Sequence, residues 1–284
     1  MKLLVLGATG MLGNAVLRFF ADSPGYVVSG TARTAGGVQL LREDLRAKVH
    51  VGVDVENTDA LIRLLDVVRP DVVVNCIGLV KQLSDAKNPL VALPVNAMLP
   101  HRLSRICALV GARLVHPSTD CVFNGVKGNY TESDQPDADD LYGRSKLLGE
   151  VDYPNAITLR TSIIGHELSG SRSLINWFLS QEGQVKGYKS AIFSGLPTVE
   201  LARVIRDYVI PHPELRGLYH VSAAPINKYD LLSLVAKVYG KAIDIQPDSS
   251  LVIDRSLDST RFRQATGFDP APWSDLIGKM HQFH

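Results

Sequence analysis

Three residues have the types and spacing to do chemistry together: Thr119, Tyr142 and Lys146, in the segments Ser118-Thr119-Asp120 and Tyr142-Gly-Arg-Ser-Lys146. A tyrosine four residues before a lysine puts phenol and ammonium on one face of a helix, one turn apart. The ammonium favours the phenolate, so the spacing predicts a phenol acidified below its ordinary value of about 10. A threonine hydroxyl at the end of a preceding strand would share a substrate oxygen with that phenol. Such a site donates a proton to a carbonyl being reduced, and the reduction also needs a hydride.

The hydride source is expected at the other end of the chain. Gly7-Ala-Thr9-Gly10-Met11-Leu12-Gly13 follows an apolar strand and opens a helix. Its first glycines permit a tight turn in which backbone amides approach a pyrophosphate at the positive helix end, and the last lets helix and strand pack closely. The second strand ends in Arg33, where an acidic residue would take the ribose hydroxyl of NAD. An arginine suits a 2′-phosphate instead, so NADP is expected over NAD. Asp54, with Val55 beside it, either meets the adenine amino group or caps the helix that follows. Asn75, Cys76 and Ile77 end the fourth strand, where small residues would let the nicotinamide half lie against backbone.

Strand and helix signals alternate as these motifs require. Strands are predicted at Lys2–Leu6, Tyr26–Thr31, Val49–Val53, Asp71–Cys76, Arg113–Pro117 and Ala156–Arg160. Helices are predicted between them at Met11–Ala21, Val38–Ala47, Thr58–Val68, about Val95–Val110 and Asp139–Val151. That rhythm implies an α/β fold, a Rossmann-type doubly wound parallel sheet. It breaks after Arg160. Residues 1–165 are expected to form the dinucleotide-binding core, rejoined by 198–221. Residues 166–197 and 222–284, with helices near Ser173–Ser180, Tyr229–Tyr239 and Ser274–Met280, form a small substrate lobe over the strand ends.

Composition excludes several classes. Thirty basic against 29 acidic residues leave a net charge of +1, so no broad basic field points to nucleic acid or an anionic membrane. Cys76, Cys107 and Cys121 form no Cys-x-x-Cys pair and read as buried thiols of a reducing compartment. The first six residues run into glycine too early for a signal peptide, and no stretch reaches the ~18 apolar residues of a membrane span. A cytoplasmic location is expected. The histidines show no ligand spacing, and no metal site is expected.

The motif run resembles a known family. Ser118-Thr-Asp-Cys-Val-Phe-Asn-Gly125, Tyr130-Thr-Glu-Ser-Asp134 and Tyr142-Gly-Arg-Ser-Lys-Leu-Leu-Gly-Glu150 are similar to the dTDP-4-dehydrorhamnose reductases, which are extended short-chain dehydrogenase/reductases. Arg160-Thr-Ser162, Gly195-Leu-Pro-Thr198, Arg255-Ser-Leu-Asp258 and Gly267-Phe268 with Trp273 extend the likeness along the chain. The resemblance implies that Thr119, Tyr142 and Lys146 are catalytic and that Tyr142 and Lys146 also touch the cofactor. The implied reaction is NADPH-dependent reduction of the C4 ketone of a nucleotide-diphosphate-linked 4-keto-6-deoxy sugar, for surface-polysaccharide precursors. It is compatible with a homodimer.

Two departures bear on the substrate. Cys121 stands where the family usually has tyrosine, and Ile163 where an aromatic residue often follows Arg-Thr-Ser. Both adjoin the expected sugar site, so UDP-linked 2-acetamido sugars compete with dTDP-linked ones. Cys121 reads as a changed pocket wall, with no adjacent group to activate a thiolate. Asp120 and Cys121 are expected at the sugar, Lys81 either there or on the surface, and Arg172, Asn176 and Trp177 around the diphosphate and base. Two other readings stay open. One is an NAD-retaining epimerase or dehydratase, although related dehydratases place glutamate where Cys121 stands. The other is a non-catalytic regulatory subunit, because the β subunit of methionine adenosyltransferase resembles the same family.

Overall fold

A computed structural model describes residues 1–80 and 84–284. Seven parallel strands form its main sheet: β1 (Lys2–Leu6), β2 (Val27–Ala32), β3 (Val49–Val51), β4 (Val72–Asn75), β5 (Arg113–Pro117), β6 (Ala156–Arg160) and β7 (Gly217–His220). Their order across the sheet is β7-β6-β5-β4-β1-β2-β3, the doubly wound arrangement expected above. The order reverses between β1 and β4, and ligands of such sheets bind in the crevice at that point.

Alternation along β1 shows why its sequence is apolar throughout. Leu3 and Val5 pack with Leu17 and Phe20 of α1 (Met11–Ala21) on one face. Leu4 and Leu6 pack on the other with Leu61 and Leu65 of α2 (Thr58–Val68) and with Leu103 and Ile106 of α3 (Leu99–Leu109). A strand covered on both faces has no polar register.

Two predicted helices differ in detail. Val38–Ala47 is not continuous: one-turn helices occupy Ala35–Val38 and Glu43–Arg46. Gly36 and Gly37 lower helix propensity in the first of them, and the stretch is too short to recover the nucleation cost. The helix predicted from about Val95 begins earlier, at Pro89, and widens into a π-type turn over Leu93–Met98 before α3. Pro94 has no N–H to donate, and the ring of Pro100 would press on the carbonyl of Asn96, four residues back.

Helices α4 (Leu141–Leu148), α5 (Leu174–Ser180), α6 (Thr198–Val204), α7 (Lys228–Tyr239), α8 (Thr260–Thr266) and α9 (Trp273–Gln282) complete the chain. A separate apolar cluster joins Ile175 and Phe178 of α5, Leu231 and Val235 of α7, and Ile277 and Met280 of α9. Phe262, Phe268 and Leu276 pack instead with the main sheet, so the C-terminal segment serves both bodies. Short strands missed by sequence patterning also build the lobe. Gln184–Tyr188 pairs in parallel with Asp244–Asp248, and Ala191–Phe193 lies between Ile226–Asn227 and Ile253–Asp254.

Candidate active site

The turn after β1 has the shape that phosphate binding needs. Gly7 has φ +79°, and a Cβ there would lie 2.8 Å from Ile77 Cγ1. A Cβ on Gly13 would collide with the Gly7 carbonyl, so α1 packs against the turn as only glycine allows. Thr31 secures the turn: its Oγ1 accepts from Gly7 N–H at 3.1 Å and its carbonyl from Ala8 N–H at 2.8 Å. Gly10 caps α1 without any side-chain bond, which leaves the first-turn amides beside Thr9, Met11 and Leu12 for an anion. The Leu12 side chain itself is in the core. Exposed Arg33 directly follows β2 and makes no hydrogen bond or ion pair among the described residues. The glycine turn could hold the pyrophosphate of a dinucleotide, with the exposed Arg33 guanidinium at the end of the neighbouring strand.

The strand-end residues divide. Asn57 caps α2, its Oδ1 accepting from Ala60 N–H at 3.0 Å, while exposed Asp54 accepts from Glu56 N–H at 2.9 Å. Asp54 therefore shapes the turn before the helix and is not its cap, with Val55 half-buried beside it. The Asn75 side chain is buried: its Oδ1 accepts from Ile77 N–H at 3.2 Å and its Nδ2 faces His116 Nδ1 at 3.2 Å. That places the His116 proton on Nε2 and leaves backbone of the Cys76–Gly78 stretch to line the crevice against Gly7. Burial pushes the Cys76 thiol far up, which makes it unreactive.

At the end of β5, Thr119 closes the turn Asp120–Val122, its Oγ1 accepting from Cys121 N–H at 3.1 Å. Helix α4 starts at its cap Asp140, whose Oδ1 accepts from Gly143 N–H at 2.7 Å. Gly143 lets α4 settle on the catalytic turn. A Cβ there would lie 2.5 Å from Ala138 Cβ and closer still to the Cys121 carbonyl oxygen. Tyr142 is thereby held near Thr119, whose hydroxyl acts on the phenol. Lys146, one turn on, is buried and donates to Pro117 O at 3.0 Å. The structure thus brings the three chemical residues together.

The electrostatics correct one expectation. The phenol is not acidified in this state. Burial pushes Tyr142 well above its usual value, nearby Cys121, Asp120 and Asp140 add to the rise, and the Thr119 hydrogen bond opposes it. Burial lowers Lys146 itself to about 8, with Glu150 opposing. Tyr142 therefore keeps its proton at neutral pH and is held ready as an acid.

A buried network fixes this platform from below. Ser118 Oγ donates to Glu150 Oε1 at 2.7 Å, and Glu150 pairs with Arg160 at 2.9 and 2.5 Å. Arg160 Nη1 donates to His220 Nε2 at 2.9 Å, so His220 Nδ1 donates to Tyr130 O at 3.0 Å. Burial, with Arg160 adding, holds His220 down at about 3 and hence neutral. The ends of β5, β6 and β7 and of α4 are joined by one satisfied polar chain.

Comparison with known proteins matches this architecture. The family model described as the RmlD substrate binding domain matches residues 1–282. The chain belongs to that family. It is 34% identical over 165 residues to a probable low-salt glycan biosynthesis reductase, Agl14, of Haloferax volcanii, covering 56% of this chain and 52% of that protein. It is 32% identical over 170 residues to dTDP-4-dehydrorhamnose reductase of Mycobacterium tuberculosis, covering 57% and 49%. These alignments span about half the length of each relative. In fold it resembles dTDP-4-dehydrorhamnose reductase of Bacillus anthracis in complex with NADP, with a TM-score of 0.79, 19% identity, and coverage of 99% and 98%.

Within this family fold the remaining residues scatter. Asp120 and Cys121 lie in the turn that Thr119 closes. Asn176 holds the loop before α5, its Oδ1 accepting from Glu167 N–H and its Nδ2 donating to Gly170 O, both at 3.1 Å. Trp177 packs against the lobe cluster and Arg172 is exposed. None of the three touches the catalytic turn among the described contacts, and Lys81 lies outside the described residues. Two cations were missed. Arg255 donates to Phe123 O at 2.7 Å and approaches Cys121 Sγ at 3.7 Å. Lys228 acts electrostatically on Asp120 and Cys121. The thiol therefore has cationic neighbours after all, brought from more than 100 residues away. The one local signal was a lysine opening a helix, against the dipole. Among the described residues no His/Cys/Asp/Glu group could hold a metal, and no helix is long and apolar enough to cross a membrane.

Proposed function

We propose that the protein reduces the C4 ketone of a nucleotide-diphosphate-linked 4-keto-6-deoxy sugar with NADPH, in the making of surface-polysaccharide precursors. The observation that carries this is the assembly of Thr119, Tyr142 and Lys146 at the end of β5, beside the β1/β4 crevice with its glycine turn. Bound there, NADPH supplies a hydride. Tyr142, protonated because it is buried, donates its proton to the carbonyl oxygen as charge develops on it. Thr119 orients that oxygen, and the Lys146 ammonium supplies positive charge one turn away. Proton donation of this kind contributes about 10²–10⁴-fold, and orientation supplies a larger share. Exposed Arg33 supports a 2′-phosphate and therefore NADPH over NADH.

The test is NADPH oxidation with dTDP- and UDP-linked 4-keto-6-deoxy sugars, 2-acetamido forms included, with product stereochemistry by NMR. Tyr142→Phe should lower turnover at least 100-fold while NADPH still binds. Redox-neutral turnover, or an unimpaired Tyr142→Phe, would sink the proposal. A second reading draws on 25% identity to methionine adenosyltransferase 2 subunit beta of Xenopus laevis, over 97% of this chain and 80% of that one. Co-purification of a partner enzyme without reductase activity on any of these sugars would favour a regulatory subunit.

A further inference from the structure

One cation at the catalytic turn has no part in the chemistry above. Lys228 is the first residue of α7, and its cap Asn227 accepts from Asp230 N–H at 2.8 Å. A cation at a helix N-terminus is opposed by the helix dipole. Burial opposes the ammonium too, bringing it to about 8 against the pull of Asp120 and Cys121. Its Nζ sits 4.2 Å from the centre of the Phe193 ring and makes no hydrogen bond or ion pair among the described residues. Two local penalties without a hydrogen-bonded partner call for an explanation outside the fold.

The placement of Lys228 is rigid. Ile226–Asn227 and Ile253–Asp254 flank the strand Ala191–Phe193, so Lys228 and Arg255 reach the turn from opposite edges of one small sheet. That sheet is fastened along the catalytic loop. Asp254 N–H donates to Gly125 O at 2.7 Å, Tyr130 N–H to Ser256 O at 2.8 Å, and Asp258 N–H to Tyr130 O at 2.7 Å. A Cβ on Gly125 would collide with Ile253, and one on Gly128 with Asp254. Arg255 is engaged with Phe123 O and Cys121 Sγ. Lys228 is the other cation acting on Asp120, and it has no such hydrogen bond of its own among the described residues.

We propose that Lys228 is a substrate-binding residue whose ammonium donates to the sugar hydroxyl on the carbon beside the reacting ketone, while Asp120 accepts from that same hydroxyl. An ammonium only donates and a carboxylate only accepts, and a hydroxyl is the sugar group that satisfies both through one atom. The Asp120 carboxyl is 7% exposed and bonded by Thr119 Oγ1 at 3.2 Å, which ties this contact to the catalytic turn. The site then selects sugars with a hydroxyl next to the carbonyl, because a deoxy sugar would leave the Lys228 ammonium without its acceptor. The proposal rests on the nucleotide-sugar reading.

The test is calorimetric titration of NADPH-saturated wild type, Lys228→Met and Lys228→Arg with dTDP-glucose, UDP-N-acetylglucosamine, free dTDP and free UDP. Methionine keeps the stem over Phe193 and removes the charge. The methionine variant should bind the nucleotide sugars about 10–100-fold more weakly, the size of a lost charged hydrogen bond. It should bind the free nucleotides within about twofold of wild type, and arginine should restore most of the loss. Unchanged sugar affinity, or equal weakening toward nucleotide and nucleotide sugar, overturns the assignment. A wild type that binds these nucleotide sugars but oxidises no NADPH with the 4-keto-6-deoxy sugars refutes the reductase reading alone. A wild type that binds no nucleotide sugar removes both.

Discussion

Gly143→Ala is the sharpest test of how the site is assembled. In an unencumbered helix the change would stabilise by about 1 kcal/mol. Here the new Cβ would lie 2.5 Å from Ala138 Cβ and closer to the Cys121 carbonyl. Carbon pairs rest at about 3.5–4.0 Å, so α4 must retreat from the catalytic turn by roughly 1 Å. Overpacking of this kind costs about 1–3 kcal/mol, which cancels or exceeds the helical gain. Tyr142 is the neighbouring residue and retreats with the helix, away from Thr119. A misplacement of ~1 Å lowers turnover about 10²-fold. The glycine turn after β1 and Arg33 lie on other strands, so NADPH affinity should fall much less than turnover. Turnover at saturating substrate, NADPH affinity by fluorescence and the melting midpoint separate these effects. Adding Ala138→Gly relieves one contact and leaves the carbonyl one, so the double variant should regain stability but not turnover. Gly143→Ala turnover near wild type, or full recovery in the double variant, would refute the reasoning.

Other outcomes follow from the same geometry. Lys146→Met should abolish reduction yet raise stability at pH 7. Below about pH 8 folding buries a charge that the unfolded chain keeps in water, and the fall from 10.5 to about 8 corresponds to roughly 3 kcal/mol. The lost bond to Pro117 O takes back about 1 kcal/mol. Between pH 8 and 10.5 the unfolded chain binds a proton the folded one lacks, so wild-type stability rises and the advantage should vanish; urea titrations at pH 7 and 10 decide it. His220 has the same sign of dependence in a lower pH window. Its folded value of about 3 lies below the ordinary 6.5, so stability is lost as pH falls through that window. His220→Gln, with an acceptor for Arg160 and a donor for Tyr130, should flatten that loss by up to one proton, about 1.4 kcal/mol per pH unit. Arg33→Ala should weaken NADPH about 10–100-fold and NADH little. Equal effects on the two would remove Arg33 from cofactor choice.

Much of this protein was legible because its signals are local. The six predicted strands of the core lie within a few residues of the observed ones, since a strand buried on both faces is a plain apolar run. The glycine turn and the Tyr-x-x-x-Lys spacing are also local, each lying within a single turn or helix. The missed strands are short, and Gln184–Tyr188 and Asp244–Asp248 pair across about 60 residues. Each is only five residues long and carries a strand-weakening Gly187 or Pro247, so the short alternation is too weak a signal without the partner.

The chain by itself therefore determined the sheet, the phosphate-binding turn and which three side chains could act on a carbonyl. Tertiary structure decided the state and company of those side chains. Spacing predicted an acidified phenol, but desolvation, which depends on everything packed around Tyr142, outweighs one ammonium turned toward Pro117. Spacing also left Cys121 without neighbours, whereas the fold brings Arg255 and Lys228 to it from distant segments. Covalent order sets what a residue can do, while burial and long-range proximity set its charge and its partners. Those two exist only once the chain has closed on itself.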